Sequence, residues 1–302
     1  MTNPWASIRL ENFFRCPACH AGKARAGDAA WECFSCGRAY RVVEGIPLLV
    51  SSWETHARRL QELGEARPDW YEEPHTSEET GPWRHHLRKR RLYVERVLRR
   101  YLAERGRPRT TTLLDLGCGD GHHSRYLPPF ADWYCGSDYN LERLLRARLH
   151  YPDSAWFLAN ILEYPVQDDF FEIIFCNHVL EHIPDDRQAL QTMYRVLQPR
   201  GLLVLGVPNE GASWWQLAYK LQPRTLRESD HVHFYTAEKI GDRVVSQGFQ
   251  ILEIEYLGWG LPHWSLDTRV RQFKMMDDML ERVGRHLFPR QASSMYILAV
   301  KP

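Results

Sequence analysis

From about residue 110 onward, short apolar runs alternate with longer amphipathic segments. The runs at residues 113–116, 132–138, 155–161 and 173–176 have the length of buried β-strands. Helices are predicted at residues 186–197 and from about residue 122 to 127. Further strands are predicted at residues 202–207, 249–257 and 294–300, with a helix between them at residues 237–247. The pattern predicts a doubly wound α/β sheet.

Two segments interrupt this pattern and are predicted to be insertions. Residues 211–230 contain an apolar helical stripe that could cover an aromatic or lipid acceptor, contact a membrane surface, or simply pack against the domain. Residues 258–292 contain a helix near residues 270–287. Neither insertion has a recognisable motif, so the sequence does not name the acceptor.

The region before the sheet divides into two parts. Residues 51–83 contain Pro68, Pro74 and Pro82, which break any long helix, and we interpret this segment as a linker that becomes a lid. Residues 84–109 form an amphipathic helix with eleven Lys and Arg residues. Its basic face is either a solvated surface or a contact for an anionic acceptor such as RNA.

The strand at residues 113–116 ends in an acid, Asp115, and three glycines follow at alternate positions. Gly117, Gly119 and Gly121 predict a tight turn on which a ligand lies against the backbone. The spacing differs from the dinucleotide fingerprint, and the acid is a poor match to pyrophosphate. A cationic ligand with a free amino group, such as S-adenosylmethionine, fits better. The alternative is a glycine turn without a ligand.

This stretch resembles motif I of the class I S-adenosylmethionine-dependent methyltransferases. The resemblance implies a Rossmann-like sheet of seven strands whose last strand is antiparallel. Asp138, at the end of the second strand, would accept the ribose hydroxyls, and Tyr139 would lie against the adenine. Asn160 stands where the family usually has Asp, and its carbonyl oxygen can still accept from the adenine amine. The predicted cofactor-binding residues are Asp115, Gly117, Cys118, Gly119, Gly121, Asp138, Tyr139, Asn160, Ile161 and Asn177.

The signature Leu-Glu-His-Ile-Pro at residues 180–184 closely resembles the ubiquinone- and menaquinone-biosynthesis methyltransferases, which act on small molecules. It differs from the Asn-Pro-Pro-Tyr-like motif of enzymes that methylate amines of nucleic-acid bases. The resemblance therefore favours a small acceptor. Asn177 and His178 follow the fourth strand, so both are expected to face the sulfonium.

A hydroxyl acceptor must lose its proton during methyl transfer, and a neutral histidine can remove it. The candidate bases are His178, His231 and His233. His178, Glu181 and His182 could also hold a metal, as a similar set is thought to do in some quinone O-methyltransferases. Magnesium prefers oxygen ligands, so the sequence favours structural roles for Glu181 and His182.

Two Cys-x-x-Cys pairs near the N-terminus predict a structural zinc site. Cys16, Cys19, Cys33 and Cys36 can place four thiolates around one ion, with thirteen residues between the pairs. With the Gly-Ile-Pro segment at residues 45–47, the module resembles the zinc-ribbon family that activates tRNA and protein methyltransferases. That family also occurs fused to methyltransferase domains, one of which methylates ribosomal RNA.

Composition narrows these alternatives only slightly. The chain has 302 residues and a net charge of +1, which argues against wholesale nucleic-acid binding. No signal-peptide pattern is visible, and no apolar run approaches the roughly 20 residues of a membrane span. Paired cysteines without an export signal favour metal binding and a cytoplasmic location.

The sequence thus predicts three regions: a zinc ribbon at residues 1–52, a linker, lid and basic helix at residues 53–110, and a methyltransferase domain at residues 111–302. The favoured function is O-methylation of a small-molecule, lipid-linked or glycan acceptor in biosynthesis. The alternatives are an RNA base methyltransferase, which would use the ribbon and the Arg-rich helix, and a non-catalytic cofactor-binding scaffold. Oligomeric state is not predicted.

Overall fold

The computed structural model describes residues 4–6, 8–67, 80–221, 231–261 and 263–302. The chain divides into two compact units. The first comprises residues 1–75, 106–175 and 192–201, and the second comprises residues 76–105, 176–191 and 202–302. Strands β8 (Phe171–Asn177) and β9 (Leu197–Pro208) contribute residues to both units.

The first unit begins with the cysteine-rich ribbon. Its strands are β1 (Ala24–Ala26), β2 (Ala30–Cys33), β3 (Ala39–Val43) and β4 (Ile46–Leu49), each antiparallel to the next. Strand β4 then pairs in parallel with β7 (Ala155–Ala159). The ribbon is therefore continuous with the main sheet of its own unit.

Three parallel strands form the centre of the first unit: β5 (Thr110–Leu116), β6 (Ala131–Asp138) and β7. β6 lies between β5 and β7. β5 and β7 are buried along most of their length, as expected for strands covered on both faces. Because parallel strands end at the same edge, Leu116, Asp138 and Ala159 lead into loops that meet there.

Aromatic side chains hold the ribbon to this sheet. Phe13 is the last residue of the short helix α1 (Leu10–Phe13), is fully buried, and its ring lies 5.3 Å from that of Phe157 on β7. Trp5 lies 5.0 Å from Trp31 in the ribbon and 5.7 Å from Trp133 on β6. Large aromatic contacts of this kind contribute most of the burial in a small module.

Two helices of the first unit begin shortly after strands β4 and β6, each with a side-chain cap. Helix α2 (Trp53–Ala66) is capped by Ser52, and helix α4 (Leu141–His150) by Asn140. Helix α5 (Asp186–Val196) begins in the second unit and ends in the first.

The second unit contains helix α3 (Arg84–Glu104) and the carboxyl ends of β8 and β9. Strand β11 (Ser294–Val300) is antiparallel to both β9 and β10 (Gln250–Leu257). The remaining helices are α6 (Ser213–Leu221), α7 (Ala237–Ser246), α8 (Trp264–Arg271) and α9 (Lys274–Leu287). None of the described helices is both long and apolar enough to cross a bilayer.

The predicted α/β Rossmann-like fold is confirmed, including its antiparallel last strand. Three local predictions were wrong. Residues 122–125 form a 3₁₀ turn instead of a helix, residues 53–66 form a helix within the predicted linker, and the second insertion contains two helices. Residues 68–79, where part of the lid was predicted, lie outside the described residues.

Candidate functional site

The glycine turn after β5 is bonded to the end of β6. The Gly117 N–H donates to the Ser137 carbonyl at 2.8 Å, and the Gly119 N–H donates to Asp138 Oδ2 at 2.8 Å. Gly121 has a φ of +76°, and a Cβ on it would lie 2.9 Å from both Ala147 Cβ and the Trp156 ring. Glycine is therefore required for the bend and for the close approach of helix α4.

The Asp138 carboxylate is held by the backbone on both oxygens. Oδ1 accepts from the Asn140 N–H at 2.8 Å, while Oδ2 accepts from the Gly119 N–H. Each carboxylate oxygen has two lone pairs, so both can still accept a ligand hydroxyl. The side chain is only partly buried at the sheet edge. This arrangement suits the two adjacent hydroxyls of a ribose.

Asp115 is fully buried and bonded to neighbouring side chains. Its Oδ2 accepts from the Tyr134 hydroxyl at 3.1 Å and lies 3.1 Å from His123 Nδ1. These contacts brace the strand end beneath the glycine turn. Cys118, in the turn itself, is buried, and burial raises the pKa of its thiol well above the ordinary value.

Tyr139 lies beside a residue that the sequence did not indicate. The His56 ring, from helix α2, lies 4.0 Å from the Tyr139 ring, and Nε2 lies 2.8 Å from the Tyr139 carbonyl oxygen. A carbonyl can only accept, so Nε2 carries the proton. Burial lowers the pKa of His56, which keeps the ring neutral near pH 7. The sequence feature that could have indicated this helix is Ser52, which caps α2 one turn before His56.

Asn160 caps the turn that follows β7. Its side-chain oxygen accepts from the Leu162 N–H at 3.1 Å, within the 3₁₀ turn Ile161–Glu163. One lone pair of this oxygen remains for the predicted adenine contact. Both Asn160 and Ile161 are partly exposed.

In the second unit, His178 lies directly after β8 with a φ of +54°, in the left-handed region that non-glycine residues seldom adopt. Its N–H donates to the Gly206 carbonyl at 2.9 Å. Preceding it, the Asn177 side-chain oxygen accepts from the Tyr296 hydroxyl at 2.8 Å. The unusual backbone at His178 is thus held by its neighbours, as is common at functional positions.

The His178 ring lies between a cation and a carboxylate. Nδ1 is 3.2 Å from Glu181 Oε1, and Nε2 is 3.0 Å from Arg90 Nη1. A guanidinium can only donate, so Nε2 carries the lone pair and Nδ1 carries the proton. Burial and the charge of Arg90 lower the pKa of His178, although Glu181 opposes this shift. The ring is therefore a neutral base oriented by a carboxylate.

His182 and His231 lie close to Glu181 and, with His178, form a histidine–carboxylate cluster. The two rings lie 5.1 Å apart, and the ligand atoms of Glu181, His182 and His231 all lie within 4.8 Å of one another. His231 Nδ1 lies 3.3 Å from Glu210 Oε1, which makes a second histidine–carboxylate pair. Of the three predicted bases, His178 and His231 therefore belong to one cluster.

His233, the third predicted base, contacts backbone carbonyls through its ring. Its Nε2 lies 3.0 Å from the carbonyl oxygens of both Ile183 and Pro184. Nε2 must therefore donate a proton, and this nitrogen cannot act as a base while the contact lasts. The backbone N–H groups of Val232 and His233 donate to the Glu181 carbonyl, which fixes Glu181 against this segment.

In the first unit, the four predicted zinc ligands converge at the tip of the ribbon. The Cys19 and Cys33 sulfurs lie 3.6 Å apart, and the Cys16 and Cys36 sulfurs lie 3.8 Å apart. A zinc–sulfur bond of about 2.3 Å implies sulfurs about 3.8 Å apart in a tetrahedral site, so the donor set fits zinc. Each Cys-x-x-Cys turn is followed by a left-handed residue, His20 or Gly37.

Comparison with known proteins agrees with this fold. Residues 83–254, more than half of the chain, match the family model of a methyltransferase domain. A probable S-adenosylmethionine-dependent methyltransferase of Mycolicibacterium smegmatis is 29% identical over 157 residues, which cover 52% of this chain and 59% of that protein.

Two further relatives have named substrates or pathways. The trans-aconitate 2-methyltransferase of Variovorax paradoxus is 30% identical and covers 37% of this chain and 49% of the relative. The ubiquinone biosynthesis O-methyltransferase of Cronobacter sakazakii is also 30% identical, with 39% and 51% covered. The chain thus spans about half the length of the curated relatives it matches.

Among solved structures, a protein described as a sarcosine dimethylglycine methyltransferase from Galdieria sulphuraria has a TM-score of 0.51 at 19% identity. The match covers 71% of this chain and 87% of that one, and it is a likeness of fold. The family match over residues 83–254 shows that the chain belongs to the methyltransferase domain family.

Proposed function

We propose that the chain is an S-adenosylmethionine-dependent methyltransferase that methylates an oxygen of a small-molecule, lipid-linked or glycan acceptor. The observation that carries the proposal is the Asp138 carboxylate, which the glycine turn holds through the Gly119 N–H while the Asn140 N–H holds its other oxygen. When bound, S-adenosylmethionine supplies an electrophilic methyl group. A carboxylate oriented in this way binds the ribose with little reorganisation.

The other cofactor contacts follow from residues near Asp138. Tyr139 offers an aromatic face to the adenine, and its ring is supported by His56. Asn160 offers the second lone pair of its side-chain oxygen to the adenine amine. We assign Asp115 the role of bracing the turn, because its carboxylate contacts Tyr134 and His123. Gly117, Cys118, Ile161 and Asn177 stay predicted contacts.

His178 is our candidate general base. In the reaction the acceptor hydroxyl would replace Arg90 as the donor to Nε2, and Nε2 would take the proton as the oxygen attacks the methyl group. Glu181 holds the proton on Nδ1 and stabilises the positive ring that forms, as a carboxylate does for histidine in other enzymes. His231, paired with Glu210, is the second candidate.

A small acceptor is supported by the relatives, whose names include an O-methyltransferase of ubiquinone biosynthesis and a methyltransferase of trans-aconitate. The basic residues of helix α3 and of residues 105–109, which follow it, give less support to RNA as the acceptor. Among the described residues, six of the eleven cations at residues 84–109 form ion pairs, and they are Lys89, Arg91, Arg99, Arg100, Arg107 and Arg109. Cations paired in this way contribute less to phosphate binding.

Zinc belongs to the same proposal. Cys16, Cys19, Cys33 and Cys36 would hold the ion in a closed four-thiolate site, whose role is to stabilise the ribbon. We also propose a cytoplasmic location, where such thiols stay reduced. A scaffold without catalysis is the alternative in which the cofactor binds but no methyl group moves.

The test is incubation of the zinc-loaded protein with methyl-labelled S-adenosylmethionine and separated metabolite, lipid, RNA and protein fractions. We expect label in the metabolite or lipid fraction. Label in RNA alone would refute the small-acceptor proposal, and label in no fraction despite cofactor binding would favour the scaffold.

The two candidate bases are separated by matched variants. We expect His178→Gln to lower kcat by about 100-fold or more, the range of a lost general base, while the affinity for S-adenosylmethionine is retained. His231→Gln is the control and should lower kcat by less. The reverse order would make His231 the base.

A further inference from the structure

The second insertion presents an exposed apolar stripe on helix α9. Met275, Met279, Val283 and Leu287 follow one another at intervals of four residues, which places them along one side of a helix. All four are exposed, and Met275 is 78% exposed. Phe273 before the helix and Phe288 after it are exposed as well. A helix of this length carries the stripe over about 20 Å.

The opposite side of α9 is fixed within the second unit. Asp277 is buried and pairs with Arg271 at 3.1 Å and with Lys89 at 2.6 Å. Gly284 packs so closely on Trp259 that a Cβ would lie 2.1 Å from its ring. Because these contacts set the rotation of the helix, the apolar stripe faces outward and cannot turn into the core of that unit.

The segment that carries the stripe has an excess of exposed positive charge. Five basic side chains of residues 264–291 are exposed: Arg269, Lys274, Arg282, Arg285 and Arg290. Of the acidic side chains in the same range, Asp278 and Glu281 are partly exposed and the others are buried. Arg269, Arg282 and Arg290 form no ion pair with any residue that the structure describes. Arg282 and His286 lie beside Met275 and Met279 on the helical wheel.

We infer that α9 is a docking helix for an anionic lipid surface. An amphipathic helix with an apolar face and flanking Arg and Lys side chains lies in the plane of a bilayer, with the apolar residues among the headgroups and upper acyl chains. The unpaired cations are complementary to anionic headgroups. A second copy of the chain fits less well, since a two-fold contact would bring the Arg-flanked stripe against itself.

This inference does not depend on methyl transfer, because it uses none of the residues assigned to the cofactor or to the base. Its test is co-sedimentation of the full zinc-loaded chain with vesicles of phosphatidylcholine alone, or with added phosphatidylglycerol. We expect binding to the anionic vesicles, much weaker binding to phosphatidylcholine, and loss of binding as salt rises.

Two variants test the surface itself. Met279→Ser combined with Val283→Ser should lower the partition coefficient by about tenfold or more, because two apolar side chains that would enter the bilayer are lost. Arg282→Glu should lower it through charge alone. Both change exposed side chains, and thermal unfolding checks that the fold is kept. The control is Leu149→Ser on helix α4, an apolar position that is 77% exposed, against 47% for Met279 and 46% for Val283, and it should leave partitioning unchanged.

Absence of binding to phosphatidylglycerol vesicles would overturn the inference, as would wild-type binding by the double serine variant. Sedimentation equilibrium gives the competing outcome. A wild-type dimer that the double serine variant converts to a monomer, without vesicle binding, would show that a second copy covers the stripe.

Discussion

At the scale of single residues, the site depends on polar groups whose protons are placed by their neighbours. Arg90 can only donate, so it leaves His178 with a lone pair on Nε2 and a proton on Nδ1 toward Glu181. The Ile183 and Pro184 carbonyls assign the opposite role to His233 Nε2, which must donate. His178 and His233, both histidines predicted as bases, thus differ in which ring nitrogen carries the proton because their contacts differ.

Sequence alone predicted His178 and His231 as candidates and grouped His178 with Glu181, but it did not predict the contacts of His178 with Arg90 or of His231 with Glu210. The Glu181 carbonyl accepts from the N–H groups of Val232 and His233, although about fifty positions separate them in the chain. Arg90 lies further away still, on helix α3. Contacts at such separations leave no periodicity in a single sequence, so the roles of the three histidines required the structure.

Buried His86 makes a prediction about stability and pH. It is 1% exposed, neither ring nitrogen has a partner among the described residues, and burial with nearby Arg90, Arg271 and Lys89 holds its pKa well below the ordinary value. In the unfolded chain the pKa of this histidine is about 6.5, so the unfolded chain takes up a proton there at a higher pH than the folded chain does. Stability is lost as pH falls below that value, by up to about 1.4 kcal/mol per pH unit.

We expect His86→Leu to reduce this loss between about pH 7.5 and 5.5, because leucine takes up no proton. Urea unfolding at both pH values measures the difference. His85→Leu, the adjacent and partly exposed histidine, is the control and should keep the wild-type loss. An unchanged pH dependence in His86→Leu would contradict the assignment.

At the scale of elements, the strands were predictable and several turns were not. Apolar runs such as residues 155–159 are buried throughout, so length and composition identified them. The expected helix after Gly121 stops after one 3₁₀ turn, since Pro128 and Pro129 leave no N–H groups to continue it. Helix α2 was missed because the prolines at 68, 74 and 82 all lie beyond its end at Ala66.

A substitution at Gly121 tests whether the glycine turn after β5, which we propose binds the cofactor, requires glycine. Gly121→Ala should destabilise the fold by about 1–3 kcal/mol, because its φ is +76° and the new Cβ meets Ala147 and Trp156. Gly241→Ala, in helix α7, is the control: its nearest contact is 3.8 Å away, and alanine should stabilise the helix by up to about 1 kcal/mol. Chemical denaturation measures both. Equal effects would show that the turn tolerates a side chain.

The ribbon is the second element with a direct test. We expect one zinc ion per chain by elemental analysis, and loss of that ion in Cys33→Ser, because four thiolates converge at this point. Cys135→Ala, a buried cysteine of β6 outside the cluster, should keep the metal. Protein without zinc after expression in zinc-supplemented medium would contradict the proposal.

At the scale of the whole molecule, the account has three separable parts: a cofactor site, a histidine–carboxylate cluster and an outward-facing helix. The family match establishes the methyltransferase domain, while the acceptor and the lipid surface are proposals with their own experiments. Each can fail without the others, because they depend on different residues.

The central claim is that the glycine turn and Asp138 bind S-adenosylmethionine. Calorimetric titration of the zinc-loaded chain tests it most directly. We predict one saturable site, an affinity at least about tenfold weaker in Asp138→Asn, and unchanged affinity in Asp132→Asn, the exposed acid at the other end of the same strand. No heat on titration, or equal affinity in Asp138→Asn, would contradict the account.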